Sequence, residues 1–334
     1  MPRGFLLAGL GALALASTPM AGQAPSGPPM AGRASELLED IRTFEQRTGG
    51  SVGVAILHVE SGRELFYKGA ESFPMASVYK VPVALAILDL VDQGRLQAAQ
   101  MVPVPEELRV ESDGIAEQLV HPGISLSLLN LLELMLTRSD NTATDVLVKL
   151  AGGPAAVTLF LKSRGLHGIR VDRDTAALLE DFMEIGRGPY LERLEKARAE
   201  KRDLEIRSGK PNPAYDEDPR DTATPAATAL MLARLHRGEL LKPESTRLLL
   251  DIMARCRTGH RRLKGLLPEG TVVAHKTGSL GATANDAGIL TLPRGKGHLV
   301  VVVFVKKSTR PHQARDRAIA EIARAAFDHA LYGP

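Results

Sequence analysis

The sequence predicts an α+β fold, in which an antiparallel sheet flanked by helices carries an inserted all-helical domain. Two observations support this: β-branched, partly alternating runs lie at both ends of the chain, and runs with helical spacing fill its middle. The predicted strands are Val52–Val59, Glu64–Tyr67, Thr271–Lys276, Ala287–Leu292 and His298–Val305. We therefore expect residues 35–76 and 243–332 to form an α/β sheet domain around a helical domain of residues 77–242.

The predicted helices begin and end at residues typical of helix ends, such as Gly49-Gly50 after the first helix and Pro82 in a first turn. They are Glu36–Arg47, Ser77–Val91, Ser125–Leu136, Thr142–Leu150, Pro154–Ser163, Thr224–Leu235, Pro243–Ala254 and Gln313–Leu331. The stretch Tyr190–Arg207 is also helix-prone, and its interleaved acids and bases are typical of a solvated surface helix.

The first residues of the chain predict export. Arg3 is followed by an almost wholly apolar run, Gly4–Ala16, and then by a segment rich in small residues and proline. A positive charge before a short apolar run is typical of a secretory signal peptide, and this run is short for a membrane span. We expect residues 1–24 to be removed, with cleavage between Ala16 and Ala24, and the mature chain to be periplasmic or secreted without a membrane segment.

The composition argues against several classes of protein. The 334 residues hold 42 Lys and Arg against 39 Asp and Glu, a net charge of +3, which is not the strong basic field that nucleic-acid binding needs. The single cysteine, Cys256, excludes an intrachain disulfide and a site built on several thiolates, and the nine histidines show no metal-ligand spacing. We expect no metal, no cofactor and no nucleic-acid partner, a packing role for Cys256, and a monomer.

Ser77-Val78-Tyr79-Lys80 is the first of three motifs that indicate chemistry. A serine and a lysine three residues apart share one face of a helix. A serine hydroxyl becomes a nucleophile when a neighbouring base takes its proton, and a lysine can be that base when burial or a nearby cation lowers its pKa. Alone the motif is weak, because a serine at a helix start is equally well explained as an N-cap.

The other two motifs lie far from the first in the chain. Ser139-Asp140-Asn141 lies between two apolar helices, and alone it would be an N-cap and a loop. Lys276-Thr277-Gly278-Ser279 closes a predicted strand. A lysine there can hold a carboxylate, strand N–H groups can hold an oxyanion, and a glycine lets a ligand approach closely. Alone this motif too would be a strand end on a turn.

In this order, on helix, loop and strand, the three motifs resemble those of the class A serine β-lactamases. The resemblance covers about Leu37 to Leu331 and implies a β-lactamase/transpeptidase-like fold. His275-Lys276-Thr277-Gly278 followed by Asn285-Asp286 resembles the extended-spectrum branch of that family. Supporting stretches are Phe73–Ser77, Ser139–Ala143, Gly152–Pro154, Asp221–Pro225 and Arg262–Pro268.

The resemblance implies catalytic roles for three side chains. Ser77 would be the acylated nucleophile, and Lys80 would accept or relay its proton. Ser139 would pass a proton to the leaving lactam nitrogen. Asp140 would orient the loop rather than react.

It also implies the groups that bind the substrate, a small-molecule β-lactam. Lys276 and Thr277 would hold the substrate carboxylate, and Asn141 would hydrogen-bond the side-chain amide. The backbone N–H groups of Ser77 and Ser279 would form the oxyanion hole.

The sequence departs from the family at the position that activates water. Class A enzymes carry a loop with Arg-x-Glu-x-x-x-Asn, whose Glu activates the deacylating water; here Thr175 stands at the Glu position and Leu179 at the Asn position. Arg173 and Asp221 match the pair that closes the neck of this loop by a salt bridge. They are 48 positions apart (221 minus 173), which predicts an enlarged loop of residues 173–221.

Two hypotheses for the missing base stay open. Another acid of the loop could supply it, and Glu180 is the one that we assign. The other candidates are Asp181, Glu184, Glu192 and Glu195. Alternatively, no base is supplied and the acyl-enzyme is long-lived.

The leading functional hypothesis is therefore an exported serine hydrolase that opens β-lactams through an acyl-serine intermediate on Ser77. A β-lactam-binding or sensor-like protein that deacylates slowly is the first alternative. A hydrolase of another amide or ester, such as a peptidoglycan peptide, is the second. A purely structural relative is disfavoured, because packing alone does not require Lys80 and Lys276 together.

Overall fold

The computed structural model describes residues 1, 34–202, 204 and 210–332, so the predicted signal peptide beyond Met1 lies outside the described residues. The strands are β1 Ser51–His58, β2 Glu64–Tyr67, β3 Phe73–Pro74, β4 Met101–Pro103, β5 Ser125–Ser127, β6 Thr222–Ala223, β7 Val273–Leu280, β8 Thr283–Thr291 and β9 His298–Lys306. The α-helices are α1 Ala34–Thr48, α2 Lys80–Asp92, α3 Ile115–Gln118, α4 Leu128–Glu133, α5 Asn141–Leu150, α6 Pro154–Ser163, α7 Thr175–Met183, α8 Tyr190–Ala199, α9 Pro213–Asp216, α10 Pro225–His236, α11 Pro243–Ala254 and α12 His312–Tyr332.

Five strands form one antiparallel sheet in the order β2-β1-β9-β8-β7. The central strand β9 is apolar at nearly every position because helices cover both faces of the sheet. Val301 and Val303 face the terminal helices α1 and α12, while Val300, Val302 and Phe304 face the core shared with the helical part. The predicted α+β fold is confirmed, and α10 packs on the second face against β1 and β9.

The helical part is built around α2. Ten of its thirteen residues are buried, so this helix is apolar on all sides, as expected for a helix enclosed by others. It contacts α5, α6 and α11 within one continuous apolar core. Because Ser77 lies directly before this helix, the most enclosed helix of the fold carries the first motif.

Several predicted elements have different boundaries. The strand predicted from Ala287 begins at Thr283, and the α-helix predicted from Ser77 begins at Lys80 after a 3-10 turn. The helix predicted over Ser125–Leu136 begins only at Leu128, because Ser125–Ser127 pairs with β4 and the Ser127 hydroxyl caps the helix by accepting from Asn130 N at 3.2 Å. The strand predicted to close at Lys276 continues to Leu280, because its whole length pairs with β8. The third motif therefore lies inside an edge strand.

In its described residues, 173–202, 204 and 210–221, the enlarged loop contains the helices α7, α8 and α9. The predicted surface helix Tyr190–Arg207 ends at Ala199, and one of its faces is not solvated, because Tyr190, Leu194 and Ala197 are buried in a small apolar cluster with α7. Among the described residues, no single helix has the length and hydropathy of a membrane span; α5 and α6 pass that test only as a pair, with a 67° bend between them.

Candidate active site

Ser77 lies where the helical part meets the edge strand of the sheet. Ala76–Tyr79 form a 3-10 turn that runs into α2, and Ala76 has φ = +44°, a strained value for a residue with a side chain. The buried side-chain amide of Asn285 fixes the backbone directly before this turn. Its Nδ2 donates to the carbonyls of Pro74 and Met75 at 2.8 and 3.0 Å. The backbone around the half-buried Ser77 is therefore fixed from the sheet side.

Gly278 allows β7 to approach the nucleophile closely. A Cβ at this position would lie 2.4 Å from the Met75 carbonyl oxygen and 3.1 Å from the Ser77 nitrogen, so a larger residue would push the strand away. The close approach keeps the strand backbone at Gly278 beside the backbone nitrogen of Ser77. Backbone N–H groups are donors of the kind that can stabilise an oxyanion.

Lys80 is completely buried one helical turn after Ser77. Its Nζ donates to the Ser139 carbonyl at 2.7 Å, to the Ser139 hydroxyl at 3.2 Å and to Asn141 Oδ1 at 2.8 Å. Burial, and then the positive charge of Lys276, hold the pKa of Lys80 well below its ordinary value. A lysine in this state can accept a proton near neutral pH.

Ser139 connects two lysines. The residue has φ = +61°, which directs its side chain back from the end of the π-helical turn Leu134–Arg138. Its hydroxyl lies 3.2 Å from Lys80 Nζ and 3.0 Å from Lys276 Nζ. Burial lowers the pKa of Lys276 to about 8. A hydroxyl between two lysines with lowered pKa values can pass a proton in either direction.

Asp140 and Asn141 lie at the start of α5 with different surroundings. The buried Asp140 carboxylate accepts from Ala143 N at 2.6 Å and from Ile115 N at 2.8 Å, so it caps the helix and holds a neighbouring loop. The side chain of the half-buried Asn141 bonds Lys80 through Oδ1 and donates from Nδ2 to the Glu111 carbonyl at 2.9 Å. Asn141 is therefore held at the edge of the same cluster.

Thr277 extends the cluster along β7. Its hydroxyl lies 2.6 Å from the Thr258 hydroxyl, which in turn lies 3.3 Å from Cys256 Sγ. The Cys256 thiol is buried, and hydrogen bonding to His275 together with the charge of Lys276 outweighs burial and lowers its pKa to about 6. His275 pairs with the buried Asp286 at 2.8 Å, and this carboxylate outweighs burial in raising the pKa of His275 to about 9.

Ser279 is held by a buried arginine that belongs to the basic cluster of residues 261–264. Arg262 is 8% exposed; it donates to the Ser279 hydroxyl at 2.6 Å, to the Gly278 carbonyl at 2.9 Å and to Asp316 at 2.7 Å. Its charge is thus partly neutralised by Asp316. Arg262 therefore stiffens β7, the strand that carries the third motif, in addition to any positive electrostatic potential that it adds there.

Comparison with known proteins places this geometry in a family. The sequence model of the β-lactamase enzyme family matches residues 36–330. The chain is 30% identical over 304 residues to the extended-spectrum β-lactamase PER-1 of Pseudomonas aeruginosa, covering 88% of this chain and 87% of PER-1. It is 29% identical over 289 residues to β-lactamase VEB-1 of the same organism, covering 84% and 85%. The ancestral (GNCA) class A β-lactamase structure superimposes with a TM-score of 0.73 at 34% identity, covering 87% of this chain and 99% of that one.

The chain belongs to the class A serine β-lactamases. It is a β-lactam hydrolase, and the antiparallel sheet with its helical part is the architecture of the structures it matches. The residues of the three motifs lie together in this β-lactamase as described.

The neck of the enlarged loop is a buried ion pair. Arg173 Nε donates to Asp221 Oδ2 at 2.6 Å, and Asp221 Oδ1 accepts from the backbone nitrogens of Asp172 and Arg173 at 2.7 and 3.0 Å. Arg173 also pairs with Asp181 at 2.8 Å and Asp218 at 3.2 Å. Three carboxylates around one buried guanidinium tie both ends of the loop together.

Thr175, at the position where the family has Glu, begins α7. Its hydroxyl lies 2.6 Å from the Tyr79 hydroxyl in a buried contact. Its backbone N–H and that of Ala176 donate to Asp145 at 2.7 and 2.8 Å. Burial, followed by the charge of Asp174, raises the pKa of Asp145 to about 7. The loop therefore sits firmly on α5 and on the 3-10 turn before α2, with a hydroxyl instead of a carboxylate beside Tyr79.

Glu180 lies in the same helix but on another side of it. Five residues after Thr175, it projects about 140° away around the helix axis. Its side chain is 4% exposed and pairs with Arg187 at 3.1 Å, and burial raises its pKa. Within the described part of the chain, no hydrogen bond or ion pair joins Glu180 to Ser77, Lys80 or Ser139. The role assigned to it stays a prediction.

The four other candidate acids lie in two kinds of surroundings. Asp181 is bound to the neck through Arg173. Glu184, Glu192 and Glu195 are exposed. The geometry gives none of these four a link to the lysine and serine cluster.

Several residues of the site were not assigned a role from the sequence. Asp145 has a weak signal, an acid one turn after Asn141 in an otherwise apolar helix. Tyr79 lies inside the first motif, but nothing in its spacing predicts the contact with Thr175. The contacts of Arg262 and Thr258 depend on how the segment before β7 folds back on that strand, which no local pattern shows.

Proposed function

We propose that this β-lactamase works through an acyl-enzyme on Ser77. Neutral Lys80 takes the proton of the Ser77 hydroxyl while Oγ attacks the lactam carbonyl. The backbone N–H groups of Ser77 and Ser279 stabilise the resulting oxyanion. As the C–N bond breaks, Ser139 gives its proton to the lactam nitrogen and regains one from the lysine cluster, in which Lys276 is the second donor.

Substrate binding uses the residues around this cluster. The charged Lys276 and the hydroxyl of Thr277 hold the substrate carboxylate, and Asn141 bonds the side-chain amide. Arg262 and Asn285 do not touch the substrate. They position the two backbone segments whose N–H groups form the oxyanion hole. Binding of the carboxylate also offsets the cost of burying the charge of Lys276.

The observation that supports this proposal most directly is the Ser139 hydroxyl between Lys80 and Lys276, at 3.2 and 3.0 Å. The test is the hydrolysis of a penicillin by Ser77→Ala and Lys80→Ala, with exposed Ser163→Ala as the matched control. We expect kcat/KM to fall by at least about 10³-fold for both active-site variants and to stay unchanged for the control. Substantial activity in Ser77→Ala would overturn the proposal.

For deacylation we propose that water attack on the acyl-enzyme is slow and limits turnover. This second part is favoured by Thr175, whose hydroxyl is bound to Tyr79, and by Glu180, whose carboxylate is paired with Arg187. Loss of a general base costs about 10²–10⁴ in rate. Rapid mixing with a chromogenic cephalosporin should show a burst of one product per enzyme followed by a slow steady state. A linear time course without a burst would contradict slow deacylation.

We further propose that the mature enzyme is exported, as a periplasmic or secreted monomer without a nucleic-acid partner. The basis is the charge and apolar pattern of residues 1–24 and the near-balanced charge of the chain. N-terminal sequencing after expression with residues 1–24 should find cleavage between Ala16 and Ala24, and light scattering should give the mass of one chain. An uncleaved cytoplasmic chain would refute export, and a dimer would refute the monomer.

A further inference from the structure

A second cluster of ionisable side chains lies at the opposite end of the sheet from Ser77. Glu60 is in the turn after β1, His236 is the last residue of α10, and His298 is the first residue of β9. One carboxylate oxygen and one nitrogen from each imidazole all lie within 4.8 Å of one another. Three distant parts of the sequence thus converge on one point, which explains why linear spacing gave no metal motif.

The Glu60 carboxylate is held in place by the backbone. Oε2 accepts from His298 N at 2.8 Å, and Oε1 lies 2.7 Å from His298 Nδ1. Gly297 makes room for this arrangement, because a Cβ there would lie 2.3 Å from Glu60 Oε2, and its φ of +94° also disfavours a side chain. The acid and the first imidazole are therefore preorganised.

His236 supplies the second imidazole. Its ring lies 4.1 Å from the ring of His298, centroid to centroid, and no described residue hydrogen-bonds its ring nitrogens. Burial, and then the charges of His298 and Arg237, lower the pKa of His236. A nearby histidine, His58, is not available, because Ser61 and the Lys296 carbonyl occupy its two nitrogens at 2.9 and 2.8 Å.

We propose that Glu60, His236 and His298 bind one divalent transition-metal ion of the Zn²⁺ type. Two imidazoles and one carboxylate are a donor set that zinc uses with an open fourth position, whereas Mg²⁺ and Ca²⁺ prefer oxygen alone. The ion takes the place of the proton shared between Glu60 Oε1 and His298 Nδ1. Bonds of about 2.1 Å require ligand atoms about 3.4 Å apart in a tetrahedron. The pair Glu60 Oε1 and His298 Nδ1, now 2.7 Å apart, therefore separates by about 0.7 Å, and His236 moves inward by at most about 1.4 Å.

The site is separate from catalysis. Along β9, His298 is six residues from Phe304, which pairs with the Asn285 that holds the Ser77 turn, a distance of about 20 Å at strand rise. The ion joins the β1–β2 turn, the end of α10 and the start of β9. It therefore stabilises the fold and leaves β-lactam hydrolysis unchanged, and its test does not depend on the function of Ser77.

The experiment is calorimetric titration of Zn²⁺ into the untagged, chelator-treated chain, with the absorption spectrum of the Co²⁺ form as a second readout. The variants are His236→Gln, His298→Gln and Glu60→Gln, with exposed His312→Gln as the matched control. Penicillin hydrolysis and melting temperature of each metal-free variant show that it is folded.

We expect one ion per chain, a rise in melting temperature with Zn²⁺ and a tetrahedral Co²⁺ spectrum. Each histidine variant should bind Zn²⁺ more than about 10-fold more weakly. Even the loss of a residue that only hydrogen-bonds a metal ligand lowers metal affinity about 10- to 100-fold. The Glu60 variant should also bind more weakly, and His312→Gln should match the parent. Absence of binding, or unchanged affinity in both folded histidine variants, would overturn the proposal and leave a simple carboxylate–imidazole pair.

Discussion

Replacing Thr175 with glutamate tests the account of the enlarged loop. Thr175 begins α7 with its hydroxyl 2.6 Å from the Tyr79 hydroxyl, and it is 4% exposed. A glutamate there carries an acceptor for the Tyr79 proton and adds an acid in the first turn of a helix, where negative charge is favoured by about 0.3–1 kcal/mol. The matched control is Thr175→Gln, which has the same shape without the charge.

The acids around position 175 determine how much the steady-state rate of Thr175→Glu should rise. A general base for water is worth about 10²–10⁴ in rate, or roughly 3–5 kcal/mol. The new carboxylate would lie beside Asp145, whose pKa burial and Asp174 already raise to about 7. These acids raise the pKa of a third one and keep part of it protonated at neutral pH. We therefore expect the low end of the range, a steady-state rate of Thr175→Glu about 10²-fold above that of the parent. This ratio should increase as the pH rises and the new carboxylate loses its proton.

The assay is rapid mixing with a chromogenic cephalosporin, which separates the acylation burst from the steady state. Thr175→Glu should keep the burst rate of the parent and raise the later rate, while Thr175→Gln should change neither by more than about threefold. A glutamate variant that is folded but no faster than the glutamine variant would refute the claim that the missing carboxylate limits turnover.

Further predictions concern the neck, the substrate lysine and the candidate base. Arg173→Ala leaves the buried Asp221 without its partner, which costs about 3–5 kcal/mol and should lower Tm by roughly 10 °C in thermal unfolding. Because burial lowers the pKa of Lys276 to about 8, this side chain is charged below that pH and loses its charge above it. The kcat/KM for a penicillin should therefore fall on the alkaline side with an apparent pKa near 8, and Lys276→Arg should move this limb to higher pH. Glu180→Gln should leave burst and steady-state rates within about threefold, because the carboxylate is paired with Arg187 and has no hydrogen bond to Ser77, Lys80 or Ser139 among the described residues.

Each of these has a result that would count against it. A Tm of Arg173→Ala equal to that of the exposed control Arg247→Ala would mean that the neck contributes nothing to stability. An alkaline limb that does not move in Lys276→Arg would assign it to another group. A selective loss of about 10² in the steady-state rate of Glu180→Gln, with an intact burst, would identify Glu180 as the deacylating base.

The sheet and most helices could be predicted because their patterns are local. The run of valines predicts β9 from its own residues. The spacing of apolar residues and a proline in the first turn predict α6 and α11 in the same way. The helix predicted from Ser125 failed at its start because a three-residue strand pairing with Met101–Pro103 is a contact with another segment. Short pairings of this kind leave no periodic signal.

The site was predictable where the chemistry resides in short motifs. Ser77, Lys80, Ser139 and Lys276 were singled out because their residue types and order are specific together. The cluster of Glu60, His236 and His298 could not be foreseen, because each residue is unremarked in its own segment and only the sheet brings them together. The surroundings of Thr175 were equally hidden, since its contacts with Tyr79 and Asp145 join three separate helices.

The most direct test of the central claim is the intact mass of the protein at short times after mixing with a penicillin, followed by peptide mapping. The account predicts that most of the enzyme gains the mass of one penicillin during turnover and that the adduct lies on Ser77. The Thr175→Glu variant should form a shorter-lived adduct on the same residue, Ser77. Product formation without any adduct on Ser77, in the parent and in Thr175→Glu alike, would contradict the account.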